Sequence, residues 1–410
     1  MIFNDTKYNQ DWNLKTLNQL GDFNRGKSKH RPRNDKKLFV DGKYPFVQTG
    51  EIKAANLFIR SHTEMYSEFG LQQSKLWNQN TLCITIAANI AETALLGYPM
   101  CFPDSVVGFN AYPSESSELF MHYVFTYIKK SIQKSASGSI QDNINIDYLT
   151  TLNFKIPKKS YQDKIVSVLL MLDSKIELNN RINTELEAMA KMLYDYWFVQ
   201  FDFPDKDGKP YNTSGGKMVW NEELKRAIPD GWEVRKIGEV AKIKAGGDRP
   251  SIYSVIKTES CPIPIYSNGV TNGGLYGYTN EATINSQSVT ISARGTIGYS
   301  VLRNKPFVPI IRLIVITPHV LGSAKYFYEF IKKIEFEKSG SVQQQLTSPQ
   351  VSQLNILYPP TEILKAFETA TSSGVSEIET LKDQNQTLAQ LRDWLLPMLM
   401  NGQVQVTPSH

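Results

Sequence analysis

The stretch "GSIQDNINIDYLTTLNFKIP" at residues 138–157 has a near-copy, "GSVQQQLTSPQVSQLNILYP", at residues 340–359. With Gly138 set on Gly340 the two align without a gap. Gly138, Ser139, Gln141, Leu152, Asn153 and Pro157 meet identical residues, and Ile140, Ile144 and Leu149 meet Val342, Leu346 and Val351. Such a run marks an internal duplication, which decides the architecture before any single element is read.

The duplication extends outward. "DWNLKTLNQL" (11–20) lies on "GWEVRKIGEV" (231–240), with Trp12 on Trp232 and Lys15 on Arg235. "ITIAANIAETAL" (84–95) resembles "VTISARGTIGYSV" (289–301), which is one residue longer, and "HYVFTYI" (122–128) resembles "KYFYEFI" (325–331). Within each copy, β-branched and aromatic runs such as "TLCITIA" and "VPIIRLIVIT" alternate with Gly/Asn turns such as "SNGVTNGG". Each copy therefore reads as β-rich with a few helices.

A proline break follows each copy ("KIPKKS", "LYPPTE"), and then a helical pattern. Ser160 with Asp163, and Thr361 after Pro360, supply helix starts. Ile165, Val168, Leu172, Ile182, Leu186, Met189, Leu193 and Tyr196 fall on one alternating 3-and-4 seam. Phe367, Ala370, Gly374, Gln384, Leu388, Leu391, Leu395 and Met398 share its phase. Lys175 and Asn179 interrupt the first seam, and Gly374 in "TSSGVSE" is expected to split a short segment from the second helix. The expectation is an α+β chain: two β-rich domains joined by two long helices packed as an antiparallel coiled coil, with an approximate two-fold between the halves. Leu186, Met189, Leu193, Leu388, Leu391 and Leu395 are placed at the helix contact. The divisions are residues 1–157 and 231–359 for the domains, 158–200 and 360–400 for the helical connectors, 201–230 for a linker loop and 401–410 for a tail.

Hydrophobic content of 41%, charged content of 21% and a net charge of +5 over 410 residues describe a water-soluble chain too long for one core. Three scattered cysteines and five histidines give no disulfide framework and no metal-ligand spacing. No signal-like start and no apolar run of membrane length are present, so a cytoplasmic protein without membrane contact is expected.

Catalytic motifs are missing as well. No GxxxxGK[ST] phosphate loop and no Asn/Asp-Pro-Pro-aromatic motif occur, so neither nucleotide hydrolysis nor methyl transfer is expected. "FPDKDGKP" (203–210) suits a surface loop better than a nuclease, and Cys83 with His122 suits buried packing better than a dyad. No cofactor is expected.

Nucleic-acid contacts are better supported. "NRGKSKHRPRNDKK" (24–37) carries Arg25, Lys27, Lys29, Arg31, Arg33, Lys36 and Lys37 against the single acid Asp35. Its counterpart, "KAGGDRPSIYSVIK" (244–257), holds Lys244 and Arg249 and sets Gly246 opposite Gly26. Basic loops at the same place in both copies, among glycines that admit a phosphate, point to DNA. Asn268, Asn272 and Arg294 add side chains of the kind that pair with adenine or guanine edges.

At residues 193–240 the W-F-V-x-F-D run and the P-x-G-W-E-V entry stand together, and G-S-x-Q turns close both copies. On these motifs the chain resembles the DNA-specificity subunit of Type I restriction–modification enzymes over nearly its whole length. The resemblance implies two target-recognition domains, each reading half of a bipartite site in double-stranded DNA. It implies helical connectors that set the spacing and dock methyltransferase subunits, two of them, and through the complex the restriction/translocase subunits. It also implies that the chain does no chemistry itself. The rival reading is a coiled-coil scaffold whose repeated domains bind proteins. At the handover from each recognition domain to its helical connector, the glutamine turns are expected to act as structural hinges, with Asn145 and Thr347 as N-cap residues of the short helical stretches that follow, rather than as adenine readers through Gln141 and Gln343.

Overall fold

The computed structural model describes residues 6–136, 144–336 and 345–406. Two compact units emerge: Met1–Arg181 with Leu381–His410, and Ile182–Thr380. Both divisions fall inside the long helices, so each unit holds one β-rich copy and part of each helix.

In the first unit, strand Asn13–Thr16 pairs antiparallel with Asn153–Ile156, tying the start of the copy to its end. A five-stranded sheet runs in the order Gly21–Arg25, Val106–Ala111, Leu82–Thr85, Thr93–Leu96, Phe58–Ile59. Its middle strands are buried along their length, which is why "TLCITIA" reads as a continuous apolar run rather than an alternation. Helix Glu118–Ala136 covers the sheet and brings Phe120, Val124, Phe125 and Ile128 into the core. In the second unit Glu233–Lys236 pairs with Asn355–Tyr358, and a four-stranded sheet runs Ala241–Ala245, Ile314–Pro318, Ser288–Ile291, Ser300–Arg303 under helix Ala324–Lys332.

The two frames correspond hydrogen bond by hydrogen bond. Gly26 N–H donates to Val106 and Gly246 N–H to Leu313, each at 2.8 Å. Ile144 donates to Ile86 (3.1 Å) and Leu346 to Ala293 (3.0 Å), so the residues just after each glutamine turn are pinned beside the loop that follows the buried strand. Asn145 and Thr347 cap the next short helices, accepting from Tyr148 N–H and Gln350 N–H. Gln141 and Gln343 lie outside the described residues.

One register differs from the sequence alignment. Ala91 N–H bonds Thr85 and Gly298 N–H bonds Ser292, so these loops are equal in length and pair Ile84 with Ile291. Ala88 (φ 62°) and Ala91 (φ 60°) occupy the left-handed places held by Gly295 (69°) and Gly298 (85°) in the other copy. Alanine in place of glycine hid the match.

The long helices span Lys159–Tyr194, continued by a π turn at Asp195–Val199, and Thr361–Met400. The first begins one residue before Ser160, which therefore sits in the first turn rather than capping it. Gly374 does not break the second. An interior glycine costs only about 1 kcal/mol, and Gly374 rests against Leu186, where an added Cβ would lie 3.8 Å from Cδ2. In the first unit Asp173 meets Arg392 and Asn179 meets Asn385, an antiparallel pairing. Antiparallel order also holds in the second unit, where Leu186 faces Gly374 and Tyr194 faces Phe367.

The buried stripe lies about one residue from the expected seam. Met189 is 64% and Leu391 41% exposed, whereas Leu186, Leu193, Leu388 and Leu395 are half-buried. Asp173, Asn179 and Asn183 occupy buried places on the first helix and Arg392 a half-buried one on the second, and a count of apolar residues skips all four. That omission rotated the stripe.

Residues 201–230 are not a bare linker. Phe201, Phe203 and Ile228 enter the second unit's core, and Met218–Asn221 forms a hairpin with Arg226–Pro229. The start of the tail is tied down within the first unit: Thr6 Oγ donates to the carbonyls of Asn401 and Gly402, and Asn9 Nδ2 to Asn401.

Candidate nucleic-acid interface

In each unit, antiparallel pairing sends the same loops out of one end of the main sheet. In the first unit these are the basic loop after Gly21–Arg25, the loop after Leu82–Thr85 and the turn before Val106–Ala111. Arg25, Lys27, Lys29, Arg31, Arg33, Lys36 and Lys37 are all exposed. Two are already engaged. Arg33 donates to both oxygens of Asp104 (2.7 and 3.0 Å), and Arg31 lies 3.8 Å from the same carboxylate while donating to the Ser28 carbonyl. Asp35 accepts from Lys37 N–H (3.0 Å) and bonds His30 (2.8 Å), which together hold its carboxyl below the usual range.

The loop glycines have a different purpose from the expected one. A Cβ on Gly26 would collide with the carbonyls of Phe102 and Pro103, and one on Gly246 would meet the Pro309–Ile310 backbone at 2.7 Å. Close approach of the neighbouring turn requires these glycines, and phosphate access does not explain them.

In the second unit Lys244 and Arg249 are exposed, with Arg249 stacked 4.7 Å over Tyr253. The Asn268 carboxamide is held by the fold: its Nδ2 donates to the Ile311 carbonyl and its Oδ1 accepts from Ala293 N–H (2.7 Å). It clips three loops together, which fixes the carboxamide and leaves one Nδ2–H and one Oδ1 lone pair outside those bonds. Asn272 is exposed at φ 49°, on a turn braced by buried Arg303, which donates to the Gly273 carbonyl. Arg294 is exposed and donates to Gln345 Oε1 (2.8 Å).

The structure adds Arg312, exposed beside the basic loop through its N–H to the Gly246 carbonyl (3.1 Å). A lone arginine inside "VPIIRLIVIT" reads as strand, and only two consecutive left-handed residues, Ile311 (53°) and Arg312 (63°), reveal the turn. Lys244, Arg294 and Arg312 thus lie at one end of the second unit's main sheet, with Arg249 two residues beyond the Gly247–Ile310 bridge.

Nothing at these ends looks catalytic. The three cysteines are buried, and burial raises the thiols of Cys83 and of Cys101, the latter to about 11. His122 is buried against Thr93 Oγ (3.0 Å) and held neutral down to about pH 3 by burial and by nearby Arg392. Among the described residues no His/Cys/Asp/Glu group is arranged to hold a metal, and no helix is long and apolar enough to cross a membrane.

The family model for the Type I restriction modification DNA specificity domain matches residues 9–188 and again 229–386. The chain belongs to this family. Each match opens near the tryptophan entry and closes within a long helix, so the duplicated unit of the family is the duplication read in the sequence. Relatives in the family include the Type I restriction enzyme MjaIX specificity subunit of Methanocaldococcus jannaschii, 23% identical over 98% of this chain and 95% of that one. The HindI specificity subunit of Haemophilus influenzae is 24% identical over 67% of this chain and 74% of its own. The crystal structure of the S subunit of a type I system from M. genitalium shares the fold, with a TM-score of 0.56 at 17% identity, covering 96% of this chain and 98% of that one. Specificity subunits are the non-catalytic members of restriction–modification complexes.

Proposed function

We propose that the chain reads an asymmetric, bipartite sequence in double-stranded DNA, one half through each unit's loop end. In this reading the long helices set the gap and dock methyltransferase subunits, two per chain, which connect it to the restriction/translocase subunits in the cytoplasm. One observation carries the proposal: two copies of one hydrogen-bonded frame present basic loops at the same end but with unlike side chains. Lys27, Lys29 and an Asp104-clamped Arg33 stand in the first, and Lys244, Arg249, Arg294 and Arg312 in the second. Shared framing with unlike tips suits two readers of two sequences. Exposed Met171, Leu391 and Trp394 in the first unit, and Met189 and Met192 in the second, supply apolar helix surface for the docked subunits.

The test is duplex binding by the chain assembled with its methyltransferase subunits, measured across salt concentrations and paired with methylation mapping of the source strain. The expected result is a steep loss of affinity with salt and a methylated site of two unlike parts. Salt-independent or absent duplex binding would favour the protein-scaffold reading instead.

A further inference from the structure

We propose that Ile311 is a wedge that inserts between base pairs of the half-site met by the second unit, so that this unit selects sequence partly by how readily a step unstacks. The inference rests on the DNA-reading function above and adds a residue and a mode of recognition to it.

Residues 310–313 form a tight turn closed by Leu313 N–H to the Ile310 carbonyl (3.1 Å), with both central residues left-handed. That is the geometry of a type I′ turn, whose central places ordinarily hold Asn and Gly because a Cβ is strained there. A β-branched residue is the least suited of all. Ile311 nonetheless sits there, and it is 48% exposed rather than packed. The turn is over-determined by its neighbours: Ile311 N–H donates to Gly247 (2.8 Å), Arg312 N–H to Gly246 (3.1 Å), and Asn268 donates to the Ile311 carbonyl. The fold therefore holds a strained, apolar, solvent-facing side chain rigidly in place.

Its surroundings choose the partner. Lys244, Arg294 and Arg312 ring the same end, a cationic rim that suits phosphate on either side of an inserted side chain. Apolar wedges of this size unstack base steps and convert deformability into selectivity. The equivalent turn of the first copy, closed by Val106 N–H to Pro103, carries Asp104 and Ser105 on ordinary backbone, and Asp104 clamps Arg33. The wedge belongs to the second unit alone.

The experiment uses the chain assembled with its methyltransferase subunits and a duplex bearing the site found by methylation mapping. 2-Aminopurine is placed in turn at each position of the second half-site other than the methylated adenine. Wild type should raise the fluorescence at one step. Ile311→Asn should abolish that rise, weaken binding about tenfold, and raise the melting temperature of the chain, because asparagine tolerates the left-handed backbone. Ile311→Met, which keeps an apolar tip, should retain both the fluorescence and the affinity. No rise at any step with wild type, or a rise and affinity unchanged in Ile311→Asn, overturns the wedge while leaving sequence reading by the loops intact. Failure of the wild-type complex to bind the duplex overturns both.

Discussion

Arg392 of the second long helix donates to Asp173 of the first at 2.7 Å, and the other Asp173 oxygen accepts from Tyr123 at 2.7 Å. The Asp173 side chain is 2% exposed, so these two donors stand where bulk water would otherwise solvate the charge. Helix pairing in the first unit is therefore joined to the sheet-covering helix through one buried anion.

Removing one partner should be worse than removing both. Arg392→Met leaves a buried carboxylate with a single donor and should cost about 3–5 kcal/mol in chemical denaturation. Pairing it with Asp173→Leu should recover most of that loss, since a buried ion pair and an apolar pair of similar volume are often equal in stability. A single variant within about 1 kcal/mol of wild type would deny the site its buried character.

Helix residues that look equivalent in sequence should separate in experiment. Leu186 is half-buried beside Gly374, and Leu186→Asp should destabilise the second unit by about 3 kcal/mol. Leu391→Asp should cost far less, about 0.5 kcal/mol, because its side chain is 41% exposed. Leu391→Asp combined with Trp394→Asp should fold normally yet fail to co-purify with methyltransferase. Normal co-purification would move the docking surface elsewhere.

The first basic loop should not respond evenly. Lys27→Ala and Lys29→Ala should each lower the slope of log affinity against log salt by about 0.9. Arg33→Ala should lower it less, because Asp104 already neutralises that guanidinium. Asp104→Ala should instead strengthen binding to non-cognate duplex. Equal slopes for Lys27→Ala and Arg33→Ala would show that DNA displaces the Arg33–Asp104 pair.

His122 should make the first unit acid-sensitive. Its pKa in the fold, about 3, lies below the ordinary 6.5, so between those values the unfolded chain binds the extra proton. The stabilisation is complete above about pH 6.5 and falls as pH drops toward 3. Between pH 7 and 5 wild type should lose about 2 kcal/mol more than His122→Gln, by calorimetry at stepped pH. Parallel curves would mean that the ring is hydrated.

The duplication, the β-rich copies and both long helices were legible because they rest on apolar periodicity and on turn residues, which repeat visibly. Three features were not. The helix stripe is completed by Asp173, Asn179 and Arg392, whose partners come from the opposite helix and from Tyr123, and local sequence does not record such pairing. The loop clip made by Asn268 left no local trace, because the loops it joins, near Ile311 and Ala293, are far from it in sequence. Arg312 was hidden in an apolar run because Ile311 and Arg312 turn where glycine or asparagine would have announced a turn.

The remaining prediction concerns the DNA site itself. A chain with two copies of one frame and unlike loop ends should read two unlike short sequences, separated by a gap of fixed length. Exchanging the second copy for that of another family member should change one half-site only, since the hydrogen bonds that build each loop end, such as Gly246 to Leu313 and Asn268 to Ala293, close within the copy. Removing one heptad from each long helix should shorten the gap or abolish recognition, and should leave the bases read in each half unchanged, because no loop-end residue lies on either helix. Methylation mapping of strains carrying each variant reads all three outcomes. A continuous palindrome would defeat the proposal, because a symmetric site requires two like readers, and Asp104 with Arg33 in one copy and Ile311 with Arg312 in the other are not alike.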